Sequence, residues 1–136
     1  MVDLKKFYKN LPKVLDDFQF KEHMASVILV GAKDSGRGKL LAGVSRAAFR
    51  SDAVIIDSGV ATGIESYCLR RKVPLIGVFP EEEIELPKIN ATSKSPNQLT
   101  NGHSHLFMLC KSKKWGTEAK LKYQIARKYI FLLILV

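Results

Sequence analysis

Four short stretches hold the residue types that could do chemistry. The first is Gly31-Ala32-Lys33-Asp34-Ser35-Gly36-Arg37-Gly38-Lys39. Glycines let backbone N–H groups turn inward, and a helix starting here would add partial positive charge, so a phosphate or another anion is favoured. Lys33, Arg37 and Lys39 add full charges. The stretch is not a P-loop, because that pattern counted from Gly31 needs Lys at position 37 and Ser or Thr at 38, where the chain has Arg37 and Gly38. Its glycine spacing does not fit the dinucleotide fingerprint either. A bare turn and helix cap is the alternative. As ligand contacts, the candidates are Gly31, Ala32, Ser35, Gly36 and Arg37.

The second stretch is Asp57-Ser58-Gly59-Val60-Ala61-Thr62-Gly63, which follows an apolar run. Asp57, Ser58 and Thr62 can hydrogen-bond a phosphate or a sugar, and Gly59 and Gly63 permit close approach. Thr62 equally suits the N-cap of a following helix, with Glu65 three residues later completing a capping box. The third is Asn101-Gly102-His103-Ser104-His105, where His103 is the ligand-binding candidate. His103 and His105 share a face if the segment is extended, which raises a metal site. No Cys, Asp or Glu nearby stands at ligand spacing, so no metal ligand is assigned, and a turn feeding a strand is preferred. The fourth is Trp115-Gly116, where Trp115 can stack on a base or simply pack.

Catalytic pairs are harder to find. Glu81, Glu82, Glu83 and Glu85 read as a solvated loop, no Ser or Cys has an evident His base, and Ser58 lies outside a G-x-S-x-G elbow. No catalytic residue is assigned, and Glu65 remains the one acid to test.

Hydrophobic patterning supplies the elements that must position these residues. Residues 3–20 read as an amphipathic helical lead interrupted near Pro12. Ser26–Val30, Ala53–Ile56, Pro74–Phe79 (stopped by Pro80), Leu106–Cys110 and Tyr129–Val136 read as strands. Helical spacing links Leu40, Leu41, Val44, Ala47 and Ala48, and recurs over Glu65–Arg71 and Thr117–Lys128. Residues 81–100 form a long polar loop. Strands alternating with helices predict an α/β fold: a Rossmann-like three-layer sandwich with a mostly parallel sheet of about five strands. The expected division is a helical lead over 1–25 and one domain over 26–136. Ligands of such sheets bind at the carboxyl ends of the strands, where the chemical stretches fall.

At 136 residues the chain suits a single core. Its 46% apolar and 26% charged content is that of a globular protein. The net charge of +9 suits an anionic partner, whether nucleotide, nucleic acid or acidic surface. Between Lys111 and Lys128 seven basic residues face one acid, Glu118, and a solvated helix face is the expectation there. With aromatics scattered evenly, nucleic acid ranks last among the partners. Cys68 and Cys110 read as two buried thiols in a reduced, cytoplasmic chain, since MVDLKKFYKN lacks the apolar core of a signal peptide. Tyr129–Val136 is far shorter than the ~20 residues of a membrane span.

The order of motifs resembles the SLOG superfamily, Rossmann-like domains related to the LOG and DprA proteins. It is most similar to the branch (LSDAT) at the N terminus of TRPM channels and in stand-alone prokaryotic relatives. The resemblance rests on VILVGAKDSG, AVIIDSGVATGI, VPLIGVFPE, LTNGHSHLFML and WGTEAKLKYQIA, which span residues 27–126. It implies a sensor for a nucleotide-derived ligand such as ADP-ribose or NAD, with Gly31, Gly36, Ser58, Gly59, Thr62 and Gly63 lining the site. LOG relatives cleave nucleoside monophosphates with an Arg and a P-G-G-x-G-T-x-x-E motif, and Gly63-Ile64-Glu65 is only a distant echo of it. Binding is therefore expected, with N-glycosidic hydrolysis and a basic nucleic-acid-binding module as alternatives. Ser58 stands where the family's turn has its first Gly. The family also continues beyond the strand matching YIFLLILV, so the domain is expected to be incomplete at its C terminus, with a homodimer as one way to cover the last strand.

Overall fold

The structure, a computed structural model, describes residues 4–17, 25–30, 37–59, 62–81, 102–110, 115–116 and 118–135. The elements in chain order are α1 (Leu4–Asp17), β1 (Ala25–Val30), α2 (Gly38–Arg50), β2 (Ala53–Asp57), α3 (Ile64–Arg71), β3 (Leu75–Pro80), β4 (His105–Leu109), α4 (Glu118–Ala126) and β5 (Ile130–Leu135). The strands form one sheet in the order β4-β3-β2-β1-β5. Every pairing is parallel.

Continuous apolar runs make these strands because both faces of the sheet are covered. Val54 and Ile56 point to one face, where they join Ile28, Ile76 and Val78 with Leu11 and Leu15 of α1 and Leu121 and Ile125 of α4. Ala53 and Ile55 point to the other face, with Leu75, Leu41 and Val44 of α2, and Ile64 and Cys68 of α3. The result is the three-layer α/β sandwich the alternation of elements implies. All five residues of β2, at the sheet's centre, are buried.

Two prolines behave differently from the sequence expectation. Pro12 lies inside α1, which runs on without the expected interruption. Leu11 and Leu15 are each 2% exposed, and their burial on α4 and the sheet offsets the hydrogen bond that proline removes. Pro80 is the last residue of β3 rather than its stop. β2 already ends opposite Gly77, so at Pro80 only the β4 side of the ladder continues, toward Leu109. Other boundaries shift by one or two residues: α4 ends at Ala126 and β5 spans Ile130–Leu135. Cys68 is buried as expected, whereas Cys110 is exposed. Cys110 directly follows β4, an edge strand in which half-buried and exposed positions alternate.

Strand order fixes where a ligand can approach. From β1 the chain proceeds through β2 and β3 to β4 on one side, then returns through α4 to place β5 on the other side of β1. α2 and α3 cover one face and α4 the other. The direction of winding therefore reverses between β1 and β5, and the carboxyl end of β1, which also neighbours that of β2, is the ligand-binding position of an open α/β sheet.

Candidate functional site

Asp57 closes β2 and turns its carboxylate into the protein, where the side chain is 1% exposed. Oδ1 accepts the Gly59 N–H at 2.8 Å, an Asx-type contact that bends the chain sharply out of the strand. The same oxygen lies 2.8 Å from Nε2 of His103, whose side chain is 2% exposed. His103 comes from the segment just before β4, two strands away from β2. The intervening β3 has Gly77 opposite Asp57 in register. A Cβ at Gly77 would lie 3.0 Å from the His103 ring and 3.2 Å from Gly59 Cα, so the missing side chain lets ring and turn meet.

Oδ2 of Asp57 is the one buried side-chain polar atom without a hydrogen-bond partner among the described residues. Such an atom costs free energy and calls for a reason.

The start of α3 completes one side of this edge. Glu65 is 5% exposed. Its Oε1 accepts the Thr62 N–H at 3.0 Å and its Oε2 the Gly63 N–H at 2.8 Å. The expected capping box is half present. Glu65 does reach back to the turn, but Gly63, with φ of +92°, is the N-cap instead of Thr62. Thr62 Oγ1 receives only a 3.5 Å contact from Ile64 N, at the outer limit of a hydrogen bond.

On the other side, α4 contributes a buried ion pair. Lys122 Nζ donates to Ser58 Oγ at 2.8 Å and lies 3.6 Å from Glu118. Glu118 accepts the Gly116 N–H at 2.6 Å. Burial pulls the Lys122 pKa below its ordinary value, while the Glu118 and Asp57 carboxylates oppose that fall. The Cys68 thiol beneath α3 is pushed up to about 12, first by burial and then by Asp57 and Glu65.

Of the residues singled out in the sequence, Asp57, Ser58, Gly59, Thr62, Gly63, Glu65 and His103 meet at this edge. Arg37 is exposed at the N-cap of α2. Gly31, Ala32, Ser35 and Gly36 lie outside the described residues, as do residues 82–100 of the expected polar loop. Trp115 is 39% exposed, so it is not a core residue. His103 and His105 do not act as a pair: His105 belongs to β4 and its Nδ1 contacts Ser104 Oγ.

Residues 25–130 match the family described as SLOG in TRPM, prokaryote. The chain is a member of that family. No curated protein matches it.

Three members of this SLOG edge escaped the sequence reading. Lys122 looked like part of a solvated basic face, yet it is 6% exposed and bonded to Ser58. Its spacing of four from Glu118 was the available signal. Glu118 was counted as a lone acid among bases. Gly77, inside the apolar run PLIGVF, carried the ordinary mark of a close backbone approach. Asp57 and Glu65 were not seen as neighbours of His103, because some forty residues separate them along the chain.

Proposed function

We propose that this SLOG domain binds a nucleotide-derived ligand of the ADP-ribose or NAD class at the carboxyl ends of β1 and β2. The observation that carries the reading is the reversal of winding between β1 and β5, with the Asp57–Gly63 turn beside β1. In this reading the phosphates lie over residues 31–38, where α2 begins and Arg37 and Lys39 supply charge. The Ser58–Gly63 turn forms the adjoining wall, with Trp115 and His103 at its margin.

The chain acts as a cytosolic sensor or binding module rather than a glycosidase. Both oxygens of Glu65 accept backbone N–H groups, an arrangement suited to holding a turn. A nucleic-acid surface has less support. Lys122 is buried, and the Lys120 ammonium lies 5.0 Å from the centre of the Tyr8 ring, so the basic run of α4 is not one continuous exposed stripe. No helix among the described residues is long and apolar enough to cross a membrane.

Thermal unfolding with ADP-ribose, NAD and AMP tests the proposal. A ligand at 100 times its Kd adds about 2.7 kcal/mol, a clear rise in Tm. An unchanged Tm with all three at millimolar levels refutes it. Free base released from AMP in the same samples would point instead to N-glycosidic hydrolysis.

A further inference from the structure

The buried charges at this edge do not balance among the described residues. Asp57, Glu65 and Glu118 are 1%, 5% and 7% exposed, and Lys122, 6% exposed, is the one buried Lys or Arg beside them. Burying carboxylates without compensation is costly. Glu118 and Lys122 offset each other, which leaves Asp57 and Glu65 together on the α3 side, with His103 between the turn and β4.

We propose that Asp57, Glu65 and His103 bind one divalent first-row transition cation of the manganese, iron or zinc class. Four observations lead there. One ligating atom from each of the three residues can be chosen so that all lie within 4.8 Å of one another. The 2.8 Å between His103 Nε2 and Asp57 Oδ1 is close to the edge of a coordination shell with bonds of about 2.1 Å. Asp57 Oδ2 is buried and unpartnered, as a carboxylate oxygen awaiting a cation would be. The donor set, two carboxylates and one imidazole, suits these ions better than calcium or magnesium, which take oxygen alone.

The surroundings hold the ligands in place. Gly59 N–H donates to Asp57 Oδ1, and the Thr62 and Gly63 N–H groups donate to the two oxygens of Glu65. Each of these oxygens keeps a second lone pair for the ion, so the backbone orients the carboxylates without saturating them. Gly102 lets the His103 segment pass directly against α3, since a Cβ there would stand 2.7 Å from Glu65. When the ion arrives, the neutral His103 ring takes the tautomer with its proton on Nδ1, which frees the Nε2 lone pair for the metal with no net loss of a proton. A +2 ion then neutralises the two carboxylates while the imidazole stays uncharged.

The test uses the whole chain stripped with a chelator and titrated with Mn²⁺ alone, followed by loss of the free-ion electron paramagnetic signal. One saturable ion per chain is expected, displaced by Zn²⁺. Asp57→Asn and His103→Gln should each weaken Mn²⁺ binding at least about tenfold. Glu81→Gln, at an exposed position, should leave it unchanged. In case a variant fails to fold, Mn²⁺ added to the wild-type chain should broaden the His103 ring resonances selectively. Absence of saturable binding at millimolar Mn²⁺ or Zn²⁺, equal binding by both variants, or broadening centred away from His103 each overturns the proposal.

Discussion

Two glutamates begin two helices at the same edge of the sheet, and they stand in opposite electrostatic company. Glu65 opens α3 and accepts the N–H of Gly63; Glu118 opens α4 and accepts the N–H of Gly116. Both are buried, and both fold back on a glycine with positive φ, +92° and +109°. Glu118 has a lysine one turn along its own helix, so its charge is answered locally. Glu65 has no such partner among the described residues and shares its pocket with Asp57 and His103. The same local device thus serves two ends. On α4 it closes a neutral structural contact that also fixes Ser58, and on α3 it leaves the carboxylate without an ion-paired Lys or Arg among the described residues.

The largest expected effect separates the packing on the two sides. Gly102 (φ of +118°) lies against the Glu65 backbone, and an added Cβ would come within 2.7 Å of its carbonyl oxygen. Gly116 has a similar φ but no atom within 4 Å of an added Cβ. Gly102→Ala should therefore cost about 4 kcal/mol and Gly116→Ala about 1 kcal/mol, measured by urea denaturation. Equal costs would mean that the α3 side is no more tightly built than the α4 side.

The next effect separates the charges. Glu118→Gln leaves the buried Lys122 without its anion and should cost about 3 kcal/mol. Glu65→Gln keeps one acceptor for the turn and relieves repulsion with Asp57, so its cost should be about 1 kcal/mol. The reverse order would break the comparison.

The smallest effect is a pH dependence. Burial, and after it the charges of Asp57 and Glu65, push the folded Cys68 thiol up to about 12 from an ordinary 9.0. The unfolded chain loses this proton first as pH rises, so the contribution to stability is complete below pH 9 and is lost between pH 9 and 12. About 1 kcal/mol should disappear between pH 9 and 10. Lys122 acts in the opposite sense: burial lowers its folded pKa below 10.5, so stability rises with pH in the window between that folded value and 10.5. Comparing wild type with Cys68→Ala isolates the thiol, whose removal should flatten that loss. An unchanged slope would show that the thiol is not raised above its ordinary pKa by folding.

The sequence by itself determined the architecture. Runs such as Val54–Ile56 and Ile76 are apolar on both faces, which only a covered parallel strand accommodates, and helical spacing between them requires the crossovers. It also located the end of β2 near Asp57, because small and hydroxyl-bearing residues after a buried run mark a strand end. Local chemistry was less certain at Pro12, whose helix survives through tertiary burial, and at Thr62, whose capping place is taken by Gly63. Only the tertiary structure decided which side chains meet. Lys122 reaches Ser58 across 64 positions, and His103 reaches Asp57 across 46. Parallel pairing places strand ends from distant parts of the chain side by side, and no periodicity along the sequence encodes that distance. A local pattern shows that a residue is polar and where its strand stops, whereas the charge it will face is set by neighbours that only the folded sheet brings together.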